Sequence, residues 1–493
     1  MPREVRDAVV VGAGPNGLAA AVTLARAGLD VLLLEAQPTP GGGSRTVDLG
    51  LADGVRHDLC SAVHPLALAS PFFAAFDLAA RGVRLVVPEV SYVQPLAGRP
   101  AAVALRGLDA TAERLGPDGR AFRALLGPLV AAPAATVALG LGDHRSVPAE
   151  VLSAAGLRAA LTFGAGLLEQ GTRAGYARFV DDAAPALLTG VAAHTIAPLP
   201  SLAAAGTALL LGALAHAPGW PVPVGGSQAI SDALLADLRA HGGELRLGQE
   251  VTTWRQLPRA RAYLFDTTPG ALARIWGERM RPAVRRAFTR FRHGNAAAKV
   301  DYVLSGPVPW ADPAVGAAGT VHVGGTRAEM TAAEQVVGRG QHAERPVVLL
   351  SDPAVTVPSR EVAGRRPLWT YAHVPAGSPR DVTETVTAQI ERFAPGFRDV
   401  VVASRCVPAA RMAEHNPSYV GGDIAGGAVT FPRLVLGPRA ADPYDGGVPG
   451  VYLCSQSTVP GPGVHGMGGW HAARRALRHR FGVAAAPDLS PGA

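Results

Sequence analysis

Six residues near the amino terminus, Gly12-Ala13-Gly14-Pro15-Asn16-Gly17, have the types and spacing to hold a dinucleotide diphosphate. Gly12 permits a tight strand-to-helix turn, Gly14 lets the diphosphate approach the backbone, and Gly17 lets helix and strand pack closely. The helix start then offers unpaired N–H groups and the positive end of its dipole. A bare GxGxxG is a weak signal. Here it follows an apolar run and opens an Ala/Leu-rich stretch, and Glu35-Ala36 closes a second apolar run. A carboxylate at that point is placed to accept hydrogen bonds from ribose hydroxyls. Elsewhere, the residues able to move or hold a proton are Lys299, His64, His194, Tyr371 and His465, with Trp220 as a candidate wall. Each has a plain alternative: a strand lysine, a helix cap or a packed ring. Cys454, in an apolar strand, reads as an inert buried thiol.

The elements that must position these groups follow from pattern. Residues 7–11 (DAVVV) predict a buried parallel strand, 15–27 a helix stopped by Gly28, and 31–35 (VLLLE) a second strand, together a βαβ unit. Helical periodicity returns over 228–240, and strands are expected at 244–251, 261–266, 296–304, 347–351, 369–374 and 450–454. Helices are expected at 383–393 and from about 465 to 480. The fold class is therefore α/β, with a discontinuous dinucleotide-binding domain (1–70, 222–285 and 425–481) and an inserted α+β substrate domain (71–221 and 286–424). The tail, 482–493, reads as mobile.

A second glycine cluster, Gly41-Gly42-Gly43-Ser44-Arg45-Thr46, follows Glu35 closely. It resembles the extended motif of glutathione-reductase-type flavoproteins, which implies FAD held against Gly42, Gly43, Ser44 and Arg45. No second strand-borne GxGxxG follows, so a reduced flavin would hand its electrons to something other than a bound nicotinamide. At the other end, Gly450 to Cys454 and the loop Thr458 to Met467 repeat a strand, a Gly/Pro loop and a helix start. The amides around Val464, His465, Gly466 and Met467 are placed to face the flavin ring, where negative charge collects on reduction.

With these motifs the chain resembles the phytoene-desaturase-like FAD oxidoreductases, relatives of the amine oxidases. Within them it is most similar to the branch of pyridine nucleotide-disulfide oxidoreductase domain-containing protein 2. Matching segments span nearly the whole chain: His57 to Pro65, Gly219 to Gly226, Lys299 to Tyr302, Glu391 to Phe397, Gly421 to Asp423 and Val464 to Met467. The resemblance implies a backbone contact to adenine at Val251 and places Thr268-Pro269 near the cofactor. It also implies a strand lysine near the flavin, with Lys299, Tyr302 and Trp310 repeating the relatives' spacing. Two departures stand out: Ser455-Gln456-Ser457 replaces the usual Gly-Asp, and the chain between Val251 and Arg261 is short.

Composition bounds the rest. Charged residues are 17% and hydrophobic ones 48%, which excludes a disordered chain. Net charge is +7, yet no nucleic-acid-reading motif appears. Of 46 basic residues only Lys299 is lysine, the bias of a GC-rich, actinobacterial-type genome. Three scattered cysteines exclude a disulfide scaffold and fit a reducing cytoplasm, and Met1 to Glu4 run straight into the first strand. Residues 183–231 carry no Asp, Glu, Lys or Arg, but prolines interrupt them, so they read as a cavity wall rather than a membrane span. Six arginines between Arg279 and Arg292 read as a solvated helix face, with peripheral membrane contact as the rival reading.

The functional expectation is an FAD-dependent dehydrogenase or oxidase. It would take hydride from a C–H bond of a largely apolar small molecule, giving C=C or C=N, with O2 or a quinone as acceptor. The rivals are a flavin-dependent isomerase without net redox change and a non-catalytic flavoprotein that serves as a binding partner. No metal is expected.

Overall fold

In the computed structural model, residues 4–492 are described. Twelve strands carry the two main sheets: β1 (Val5–Val11), β2 (Val31–Leu34), β3 (Val90–Gln94), β4 (Ala102–Leu105), β5 (Glu244–Arg246), β6 (Arg259–Phe265), β7 (Ala296–Leu304), β8 (Thr320–Val323), β9 (Val348–Ser351), β10 (Arg366–Val374), β11 (Val401–Val407) and β12 (Val451–Leu453). The helices that matter to the site are α1 (Pro15–Arg26), α2 (Ala154–Gln170), α3 (Ala183–Ala192), α4 (Leu202–Ala215), α5 (Gln228–Ala240), α6 (Arg327–Gly338) and α7 (Met467–Ala476).

The first sheet has the order β12-β6-β1-β2-β5, all parallel. Its central strands are continuous apolar runs because helices cover them: Ala8, Val10, Leu18 and Val22 share one core with α1 and α7. Its strands come from three separated parts of the chain: β1 and β2 are joined by α1 alone, whereas the other neighbouring pairs are far apart in sequence. The second sheet, order β11-β7-β10-β9-β8-β3-β4, is mostly antiparallel. It is built from the segments between those parts.

β7 covers residues 296–304 as expected and is buried along its whole length. The strand expected at 244–251 stops at Arg246, and the chain beyond it becomes a wall of the site. Four strands, β3, β4, β8 and β11, are additions to the sequence reading.

The tail is a correction. It is docked rather than mobile: Leu489 is buried, Arg26 binds the carbonyls of Asp488 and Ser490, and Arg81 binds that of Leu489. The same two arginines clamp Asp237 on α5, so a single buried carboxylate orients the cations that hold the tail. Ala493 and residues 1–3, where the chain was read as entering the first strand, lie outside the described residues.

Residues 183–231 form α3, α4 and the following turn, largely inside the protein. Among the described residues no single helix is long and apolar enough to cross a membrane.

Candidate functional site

At the carboxyl ends of β1, β2 and β6, the backbone is drawn together by two acids and five glycines. Gly17 must be glycine: a Cβ there would lie 1.9 Å from the Gly12 carbonyl. Gly42 closes over Gly14 so tightly that its Cβ would fall 2.9 Å from the Gly14 Cα. The bare backbone at Gly12, Gly14, Gly42 and Gly43 therefore forms a cradle, and the first turn of α1 opens onto it. Glu35 is fixed from both sides, one oxygen accepting the Ala13 N–H at 2.7 Å and the other the Gln37 N–H at 2.8 Å.

Asp266, at the end of β6, was not singled out by the sequence. Its Oδ2 accepts the Gly17 N–H at 2.9 Å. Burial pushes its carboxyl up to about 7, against that hydrogen bond and with help from the charge of Glu35. The signal was available: ligands of open parallel sheets sit outside the carboxyl ends of the strands, and Asp266 stands at one.

This cradle is one end of a single cavity of about 500 Å³. Glu35, Ala36, Val251, Asp266 and Thr268 line that end, and Pro15 and Asn16 lie on its rim. The cavity continues past His64, Ser455 and Val464 into a chamber walled by α2, α4 and the second sheet, where Phe163, Leu210, Trp220 and Tyr371 face inward.

The chamber's floor is the middle of one row of the second sheet, where Tyr371 and Leu349 line the cavity. Lys299 pairs with Tyr371, Tyr371 with Leu349 and Leu349 with His322, so their side chains share a face. Tyr371 and Trp369 reach the cavity. The Tyr371 hydroxyl is held protonated, its ionisation pushed well up by burial and by the neighbouring Cys60 and Glu334. Lys299 does not reach the cavity. Its ammonium is buried against Asp301 and lies 5.4 Å from the Trp369 ring centre, behind the wall. Nor is it a sheet-edge lysine, since β7 runs between β10 and β11. Tyr302, three residues on, projects from the opposite face and bonds Thr387, and Trp310 packs into that second core. The spacing shared with relatives therefore does not assemble Lys299, Tyr302 and Trp310 at one site.

His64 lines the cavity and meets the Ser227 hydroxyl at 2.8 Å; burial holds its pKa down to about 4, so it is neutral. His465 is a structural group. Its Nδ1 accepts the Met467 N–H, its Nε2 meets the Gly461 carbonyl, and it does not line the cavity. Gly466 and Met467 are likewise behind the wall, and the Met467 amide is taken by His465; of the four residues expected here only Val464 lines the cavity, beside Gly463. Three further expected cofactor residues support rather than line it. Ser44 bonds Ser231, Arg45 braces the Gly42 carbonyl and the His415 carbonyl, and Pro269 starts the helix that follows Thr268. His194 and Trp220 both line the chamber. Ser455, Gln456 and Ser457, the departure from the relatives' pattern, lie on its wall.

Residues 10–87 match the family model of the NAD(P)-binding Rossmann-like domain. An uncharacterized protein of Mycobacterium tuberculosis is 27% identical over 96% of this chain and 97% of its own. Hydroxyneurosporene desaturase of Cereibacter sphaeroides is 57% identical over 47 residues, 10% of each chain. Among solved structures, an oxidoreductase from Methanosarcina mazei superposes with a TM-score of 0.64 at 14% identity, covering 96% of this chain and 100% of its own. Putrescine oxidase bound to putrescine gives 0.62 at 16% identity, covering 98% and 100%. The resemblance read from the sequence thus holds at the level of fold: the chain has the architecture of the Methanosarcina mazei oxidoreductase and of putrescine oxidase.

Proposed function

We propose that this chain is an FAD-dependent oxidoreductase that removes hydride from a C–H bond of a largely apolar small molecule. The observation that carries this is the continuity of one cavity, from a dinucleotide cradle with an acid at the ribose position to an aromatic and aliphatic chamber. The residues present fit FAD. Gly14, Gly42 and Gly43 offer bare backbone to a diphosphate, Glu35 keeps lone pairs for ribose hydroxyls, and Val251 and Thr268 wall the adenosine end. When bound, FAD supplies the hydride acceptor and the route of two electrons to O2 or a quinone.

The chain's own residues bind, orient and exclude water. Phe163, Leu210 and Trp220 bury the substrate's apolar body. The protonated Tyr371 hydroxyl, which makes no hydrogen bond among the described residues, is a donor for the substrate or for a water beside it. Neutral His64 is a proton acceptor on the wall between the two ends. Lys299, paired with Asp301 behind Trp369, is a positioning residue for that wall. An oxidoreductase operating on apolar compounds would draw them from a lipid surface, and the chamber's α2 wall continues outward as exposed Leu157, Leu161 and Leu168, which supports peripheral membrane contact.

The test is the visible spectrum of the purified protein, then anaerobic reduction and readmission of air. Bound flavin that reoxidises within seconds marks an oxidase, and reoxidation over many minutes marks a dehydrogenase with another acceptor. Protein that neither carries nor takes up FAD would overturn the reading.

A further inference from the structure

The chamber end of the cavity contains a polar chain that ends on one imidazole. His322 is completely buried on β8, and its Nε2 lies 2.9 Å from the His194 Nε2. The His194 ring is half-buried; protein surrounds it, and its remaining accessible surface faces the cavity. The Trp220 ring stands edge-on to it, centres 5.7 Å apart. Burial keeps both imidazoles neutral, His194 down to about 3 and His322 well below the ordinary histidine range; His373 acts in the same direction on both, and His194 on His322. A neutral imidazole carries one proton, so the contact between them fixes a donor and an acceptor.

The direction of that chain can be traced from the backbone. The Gly325 carbonyl can only accept, and it meets the Gln94 Nε2 at 2.8 Å, so the other end of the Gln94 amide is its carbonyl oxygen. Among the described residues that buried oxygen has no partner, and neither does the His322 Nδ1. Both border the same point beside α3: a Cβ on Gly190 would lie 2.5 Å from the Gln94 Oε1 and 2.7 Å from the His322 Nδ1. An acceptor facing that gap calls for the His322 proton on Nδ1. The His322 Nε2 is then a lone pair, the His194 Nε2 carries the proton between them, and the His194 Nδ1 is left as a lone pair with no partner among the described residues.

Charge limits what can meet it. Among the described residues, the charged groups lining the cavity are Glu35, Glu250, Asp266 and Arg274, all at the dinucleotide end. No carboxylate lines the chamber, so an ammonium there would be desolvated without a counter-ion.

We infer that the substrate carries one uncharged hydrogen-bond donor, an alcohol hydroxyl, which donates to the His194 Nδ1 while its apolar body fills the chamber. This rests on the proposed function above and narrows it: His194 is a specificity-determining residue. A site built to accept a hydroxyl proton discriminates against an isostere that lacks it, because the acceptor would be left buried and unpaired.

The test uses the FAD-loaded full chain and three probes of equal chain length: 1-octanol, 1-chlorooctane and octylammonium at pH 7. Equilibrium dialysis gives the dissociation constants. The expected order is 1-octanol tightest, 1-chlorooctane about three- to tenfold weaker, and octylammonium weakest. His194→Phe keeps a ring against Trp220 and is expected to bring 1-octanol to or below the level of 1-chlorooctane, because its hydroxyl is then buried unpaired, without weakening the latter. His194→Gln, which retains an acceptor, is expected to restore part of the preference. Equal binding of 1-octanol and 1-chlorooctane by the wild-type protein would overturn the inference while leaving the apolar-substrate reading intact. A preference for 1-octanol that survives in His194→Phe would also overturn it, as would tightest binding of octylammonium. Failure of both uncharged probes to bind a flavin-loaded protein would remove the apolar-substrate reading itself, and this inference with it.

Discussion

Asp266 and Gly17 are joined across the first sheet: the carboxylate at the end of β6 accepts the amide in the first turn of α1, at 2.9 Å. A carboxyl thus stands where an anionic diphosphate is expected. Its pKa, raised by burial and by Glu35 from the ordinary 3.8 to about 7, fixes a sign. Below pH 3.8 the folded and unfolded chains both hold this proton. Between 3.8 and 7 the unfolded chain has released it and the folded chain has not. The flavin-free protein therefore loses stability through this group as pH rises across that window, by up to about 4 kcal/mol once above pH 7. Asp266→Asn retains an acceptor for the Gly17 amide and removes the titration. Urea unfolding of the flavin-free variant should show a gain over wild type at pH 8 and a smaller one at pH 5. Identical pH profiles for the two proteins would show that Asp266 is ionised in the fold.

Lys299 and Asp301 are two residues apart on a fully buried strand and face the same way, with the His57 Nδ1 3.5 Å from the same Asp301 oxygen. Lys299→Met strands a carboxylate in the interior. The expected cost is about 3–5 kcal/mol in urea unfolding, and much of it should be recovered in Lys299→Met/Asp301→Leu. A Lys299→Met protein of wild-type stability, with flavin that can no longer be reduced, would instead make the lysine a catalytic group.

Those two residues illustrate what the sequence could and could not convey. β1, β2 and β7 were legible because each is a continuous or nearly continuous apolar run, a pattern local to the strand. β8 and β3 were not: each is four or five residues long, and the two pair at Val321 and Val93, over two hundred residues apart. Their strand character comes from that pairing more than from propensity. The rarity of lysine identified Lys299 but not the direction of its side chain. That direction depends on the register that puts Lys299 opposite Tyr371. His322 was missed for the same reason, since its place at the end of the chamber-floor row is set by its pairing with Leu349. The glycines of the cradle were legible because they answer to close backbone approach, a demand local to the strand-turn-helix. Ser44, Arg45, Pro269 and the His465 to Met467 turn were expected to line it and instead stand behind it, and Asp266, which does line it, was missed.

Glycine packing gives a sharper contrast. Gly17→Ala would drive its Cβ to 1.9 Å from the Gly12 carbonyl, so α1 must separate from β1 and the cradle must open. The expected result is a protein purified without yellow colour, with a lower unfolding midpoint that added FAD does not raise. Gly164→Ala, on α2 with no atom near the new methyl group, is the control. It should keep its flavin and match or exceed wild-type stability by up to about 1 kcal/mol.

The outer face of α2 tests the membrane contact. Leu157, Leu161 and Leu168 lie 54%, 67% and 63% exposed at helical spacing, so one face of this helix is apolar toward solvent. Two residues of the same helix, Phe163 and Leu167, line the chamber. Exposed Arg158 lies beside the stripe, and the whole chain carries a net charge of +7. Apolar burial and attraction to anionic lipid would therefore act together, and their sum should depend on salt. Co-sedimentation with phosphatidylglycerol vesicles is expected to exceed that with phosphatidylcholine vesicles and to weaken between 50 mM and 500 mM salt. Leu157→Ser/Leu161→Ser/Leu168→Ser changes three side chains that bury little in the folded protein, so its unfolding midpoint and flavin content should match wild type while vesicle binding falls at least tenfold. If the triple variant binds vesicles as wild type does, the stripe is not the docking face. The six arginines between Arg279 and Arg292 then become the surface to test, and charge reversal at exposed Arg285 and Arg286 would be the next measurement.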